Sequence, residues 1–164
     1  MRLNFGLAAL VLCWAAPAKA QRADPRAVSA NPQWELFADA GASRTPDAFA
    51  GAGVNLRAGW YVRVAGLVSA GAVRGRDDVW RGAQRADFAV RFHLDPFGER
   101  PRGLYGGAGV SARFVEGRAD PVLTLHVGVE GARRGAWIPA AELSMGGGLR
   151  LGVALRRTRQ SGTR

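Results

Sequence analysis

The sequence has one cysteine and two histidines among its 164 residues. It has one lysine, Lys19, and nowhere about eighteen consecutive apolar residues. Each shortage excludes something. The cysteine, Cys13, lies close to the N-terminus, so the rest of the chain has no disulfide, thiol nucleophile or thiolate metal site. The missing apolar run rules out a membrane helix. His93 and His126 have no third ligand in a recognisable spacing, so no metal and no cofactor is expected. With one lysine, nearly all of the formal charge of +10 comes from arginine. The arginines are spread along the chain rather than clustered among aromatics, which argues against a nucleic-acid partner.

The start reads as an export signal. Arg2 gives a basic end, Leu7 to Ala16 an apolar run, and Ala18-Lys19-Ala20 a small-x-small cleavage site. The expected division is a signal peptide at 1–20, a flexible lead-in at 21–32, a single domain at 33–157 and a polar tail at 158–164. Leu12 stands before Cys13 where a lipobox needs a small residue, so no lipid anchor is expected.

What the chain does have is alternation. From Arg85 to Leu94, Ala86, Phe88, Val90, Phe92 and Leu94 share one face, and Arg85, Asp87, Ala89, Arg91 and His93 share the other. Turn residues follow at 95–103. The pattern then resumes, with Leu104, Gly106, Ala108, Val110, Ala112 and Phe114 set against Tyr105, Gly107, Gly109, Ser111 and Arg113. Period two, a turn and period two again predict a long antiparallel hairpin. The same spacing predicts further strands at about 33–43, 49–58, 61–72, 122–130, 137–145 and 149–156, eight in all. The connection 73–84 reads as the longest and most charged loop, and 115–120 as another.

The polar faces carry charge. Glu35, Asp39, Arg57, Asp87, Arg91, Arg113, Glu130, Glu142 and Arg150 fall opposite the apolar set, as do Arg63, Arg85 and Arg156. Charged and apolar faces alternating over strands of about ten residues fit a transmembrane barrel, apolar toward lipid and charged toward the lumen. An even strand count puts both termini at one end. The aromatics Trp34, Trp60, Tyr61, Phe92, Tyr105 and Trp137 would then form a girdle at that end, with Phe49, Trp80 and Phe114 marking the other rim.

With stretches such as Leu104-Tyr105-Gly106-Gly107-Ala108-Gly109-Val110, the export signal and the strand count, the chain resembles the small eight-stranded, porin-like outer-membrane β-barrels of Gram-negative bacteria. The resemblance covers about 33–156 and implies an all-β, antiparallel, up-and-down transmembrane barrel in the outer membrane. It departs at the C-terminus: such barrels usually end on an aromatic, and this chain ends Gln160-Ser161-Gly162-Thr163-Arg164.

The lumen of an eight-stranded barrel is only wide enough for side chains to fill, so its charges are expected to pair into a plug rather than line a pore. The expected role is structural or surface-interacting, for a monomer with outer-membrane lipid as its surroundings. The mixed charges and Trp80 at 73–84 offer a surface to an extracellular ligand. Two alternatives stand beside this. One is a narrow pore for small solutes. The other is a soluble periplasmic calyx with the faces inverted, holding an apolar ligand. Ser144, His126 and Glu142 could be arranged as a hydrolase triad, but no nucleophile motif surrounds Ser144, so no catalysis is expected.

Overall fold

The computed structural model describes residues 32–42, 45–94 and 102–158. The expected signal peptide, almost all of the lead-in and the tail beyond 158 lie outside these residues. Eight strands follow one another: β1 (Gln33–Ala42), β2 (Asp47–Arg57), β3 (Val62–Arg74), β4 (Trp80–His93), β5 (Gly103–Val115), β6 (Arg118–Glu130), β7 (Trp137–Met145) and β8 (Leu149–Thr158). Each pairs antiparallel with the next, and β8 returns to pair with β1, closing an up-and-down barrel. Closure removes every sheet edge within the ring, so the backbone groups bond to one another and not to solvent.

Alternation sets the direction of each side chain. Phe88, Leu123 and Leu151 are outward and 55%, 80% and 66% exposed. Arg91 and Arg156, on the opposite faces of their strands, are 2% and 1% exposed. Val90, Val110 and Leu125 also point out, which rules out the inverted arrangement of a soluble calyx. A fold with greasy residues outside and arginines inside is stable only where the outside is not water.

The connection expected at 73–84 is much shorter, because β3 runs to Arg74 and β4 begins at Trp80. Alternation continues through the charged stretch, with Val73 and Ala83 turned inward against Phe49 in a small apolar cluster. Likewise the loop expected at 115–120 contracts to Glu116 and Gly117, both at positive φ (50° and 78°). That pair of dihedrals matches the twist of the flanking strands in a two-residue hairpin. β3 to β6 therefore have 13 or 14 residues each, against 9 to 11 in the other four. About 9–11 residues suffice to cross a bilayer, so the two long hairpins carry their charged tips beyond the apolar band. Pro139 is accommodated within β7 opposite Leu155 of β8, and its carbonyl accepts from the Gly131 amide at 2.8 Å.

Candidate functional site

The lumen is where the chemistry-bearing residues meet. Nearest the termini, β1, β3, β4, β6, β7 and β8 bring three arginines and three glutamates together. Glu35 accepts from Arg91 Nη1 at 2.7 Å, Arg156 Nε at 2.9 Å and Asn55 Nδ2 at 2.6 Å. Arg91 Nη1 also donates to Asn55 Oδ1 at 2.7 Å. Arg156 Nη1 and Arg63 Nη1 both donate to Glu130 Oε1, at 2.6 and 3.1 Å. Glu142 lies 3.2 Å from Arg91 Nη2 and accepts from the Tyr105 hydroxyl at 3.0 Å. That hydroxyl in turn accepts from Arg156 Nη2 at 3.0 Å. The cluster is charge-balanced, and each guanidinium fork spans more than one strand, the geometry for which arginine is suited.

Further along the lumen, Arg85 pairs with Asp39 and with Asp87, the latter at 2.9 Å from Nε. Its guanidinium sits 4.6 Å from the centre of the Phe49 ring and 5.7 Å from that of Phe37. At the far end Asp47 accepts from Arg113 at 3.1 Å and Arg150 at 2.9 Å. Arg113 also reaches Asp120 at 2.9 Å. A cavity of about 60 Å³ lies between the first two clusters, lined by Asp39, Arg85, Arg91, His126, Glu142 and Ser144 among others. It has room for a few waters.

Of the residues expected in the lumen, Glu35, Asp39, Asp87, Arg91, Arg113, Glu130, Glu142 and Arg150 are brought into these clusters. Arg57, the last residue of β2, is exposed at the mouth of the barrel and paired in register with Arg63 of β3. The girdle requires two corrections. Tyr105, expected at the interface, is 3% exposed inside the lumen, because its position on β5 has inward parity. Phe49 is likewise inward and buried, packed on Val73 and Ala83 toward the end opposite the termini rather than on its outer rim. Trp34, Tyr61, Phe92 and Trp137 do point outward at the termini end, with Tyr61 and Phe92 stacked at 5.6 Å. Trp60 lies in the turn beside them.

Sequence reasoning misses Asp47 inside the lumen and the exposed Asp120 at its mouth, and it sets Tyr105 in the girdle although the alternation of β5 turns it inward. The two aspartates stand at strand ends that read as loops. The signal for Tyr105 is Gly128 directly across from it on β6, where any side chain would collide with the tyrosine ring. Ser144 and His126 are register partners on β7 and β6. His126 Nε2, however, has no hydrogen-bond partner, Ser144 included. Among the described residues no three His, Cys, Asp or Glu side chains gather as a metal site.

No protein-family model matches the sequence, and no curated protein matches it. Solved structures do. Neisserial surface protein A aligns with a TM-score of 0.55 at 13% identity, over 78% of this chain and 96% of that one. The N-terminal β-barrel domain of Pseudomonas aeruginosa OprF aligns at 0.59 and 12% identity, over 79% and 98%. A de novo designed transmembrane β-barrel aligns at 0.50 and 11%, over 79% and 96%. The fold of this chain is that of the small eight-stranded outer-membrane β-barrels.

Proposed function

We propose that the protein is an integral barrel of the outer membrane whose lumen is a salt-bridged plug, and that it serves as a structural and surface-contact element rather than as a channel or an enzyme. The observation that carries this is the burial of Arg91, Arg156, His93 and Glu35 across the lumen, where they rank among the largest fully enclosed side chains. Ions passing there would have to break several charge-assisted bonds at once.

Surface contact would fall to the tips of the two long hairpins. Val79 and Trp80 stand exposed there. Arg81 ties the tips together through Asp77 at 2.8 Å and Glu116 at 3.0 Å. An extracellular ligand touching residues within 73–84 would meet this clasp and not a long mobile loop.

Two measurements test the reading. The protein should pellet with outer membranes and migrate faster unboiled than boiled on a gel. In planar bilayers the native protein should conduct far less than an Arg91→Ala, Arg156→Ala double variant shown to be folded by the same gel shift. Stable conductance steps from the native protein would replace the plug with the narrow-pore reading.

A further inference from the structure

We infer that the outer wall of β4 to β8 is a docking groove for one anionic phospholipid, with an acyl chain against the wall and the phosphate on a collar of arginines at the termini end. This deepens the membrane reading above and rests on it.

The groove is the larger cavity, about 690 Å³. Its floor is apolar, from Leu104, Gly106, Val127, Val129, Ala141 and Leu143. A barrel wall is ordinarily convex. Here it is hollowed where Gly106 and Ala141 stand outward among leucines and valines. A Cβ added at Gly106 would meet only ordinary van der Waals neighbours, the His126 carbonyl at 3.6 Å and Val127 at 3.8 Å, so a side chain there would rest against the wall without displacing it.

The collar lies directly beneath. Arg102 precedes β5, two residues before Leu104, which pairs with Val129 at the floor of the groove. Arg133 and Arg134 occupy the turn between β6 and β7, and all three are exposed. Arg157 faces out on β8 opposite both Trp34 and Trp137, its guanidinium 5.6 Å from the Trp137 ring. Tryptophan at the headgroup level is the usual mark of a membrane interface.

Among the described residues the exposed charge at this end is all positive. Among the described residues the exposed carboxylates, Asp77, Asp78, Glu116 and Asp120, all sit at the opposite end. A guanidinium fork donates to two phosphate oxygens at once, and several forks around one groove favour an anionic over a zwitterionic headgroup. Each basic side chain near a membrane surface is worth about fivefold in attraction to an anionic lipid.

The test uses the full chain folded in detergent, offered equal amounts of dioleoylphosphatidylglycerol and dioleoylphosphatidylcholine, with bound lipid counted by native mass spectrometry. The native protein should retain the glycerol lipid about fivefold or more over the choline lipid. The exposed-residue variant Arg102→Gln, Arg133→Gln, Arg134→Gln should bring the ratio to one while lipid is still retained. Filling the hollow with Gly106→Leu and Ala141→Leu should reduce both lipids together. Equal retention by the native protein, or a preference unmoved by the arginine triple variant, overturns the inference. Displacement of bound lipid by inorganic phosphate alone overturns the part played by the groove. Insertion into pure phosphatidylcholine vesicles separates this from the parent reading. A chain that does not insert defeats the membrane assignment, whereas one that inserts without headgroup preference defeats only the groove.

Discussion

Arg156 of β8 and Glu35 of β1 are register partners across the seam that closes the barrel, and their side chains meet inside it at 2.9 Å. The pair is almost fully buried, at 1% and 2% exposure. Arg156 also holds Glu130 and the Tyr105 hydroxyl, so it links the two terminal strands to the middle of the sheet. Replacing it by methionine keeps the bulk and removes the charge, leaving Glu35 and Glu130 with fewer donors in the interior. Loss of one partner of a buried pair costs about 3–5 kcal/mol. Urea unfolding of Arg156→Met should show a loss of that size, and a change under about 1 kcal/mol would mean the seam pair is idle.

The outward face makes an independent prediction. Leu125 stands near the middle of β6, 59% exposed, between Leu123 and Val127 on the same face. On a water-facing surface Leu125→Arg would be close to neutral. On a lipid-facing one an arginine near the midplane costs about 2–4 kcal/mol. Arg118, at the start of the same strand and beyond the apolar band, provides the control, since Arg118→Leu should change bilayer stability little. Similar values for the two substitutions in lipid vesicles would remove the basis for placing this face in a membrane.

Much of this fold is legible because a strand's period is fixed by geometry. A residue at even parity cannot share a face with one at odd parity, so the inward and outward sets of β4, β5, β6 and β8 follow directly from the sequence. Strand ends are less legible. Charge at 74–84 reads as loop, yet a hairpin that has left the bilayer can be charged on its outer face and remain a strand, with Val73 and Ala83 still turned inward. Asp47 is hidden for the same reason, since Pro46-Asp47 reads as turn while the carboxylate holds Arg113 and Arg150. Pairing is the least legible, because it depends on tilt and register around the ring. Nothing local links Glu35 to Arg91 and Arg156, which lie 56 and 121 residues away.

Tyr105 shows how one lumen residue can be isolated. Its hydroxyl donates to Glu142 and accepts from Arg156, while its ring stacks on His93 at 5.1 Å and lies under the Arg156 guanidinium at 4.6 Å. Tyr105→Phe preserves the ring contacts and removes only the oxygen between two charged groups. An unmade hydrogen bond to a buried group costs about 1–3 kcal/mol, and the substitution should fall in that range. Tyr105→Ala should cost more, since it also empties the space that Gly128 leaves for the ring. Equal losses for the two would assign the whole effect to the hydroxyl and none to the packing.

The hairpin tip offers a pH test outside the membrane band. The Arg81 side chain, hydrogen-bonded to Asp77, holds that carboxyl down from its ordinary 3.8 to about 2. A carboxyl whose folded pKa is depressed contributes its stabilisation above its ordinary pKa and loses it as pH falls through the folded value. The clasp between Asp77 and Arg81 should therefore be intact at pH 4 and above, and open as the pH approaches about 2. The pair is solvent-exposed, so added salt should weaken it. The Asp77 side-chain carbon, followed by NMR, should titrate near 2 in the native protein and move back toward 3.8 in Arg81→Ala. The amides of Gly75 and Asp78, which bond to the Val79 and Gly75 carbonyls, should exchange faster in that variant. Because Arg81 also reaches Glu116 on the neighbouring hairpin, exchange at the 116–117 turn should rise as well. A native midpoint already at 3.8 would show that the clasp does not form in solution and that the two tips move independently.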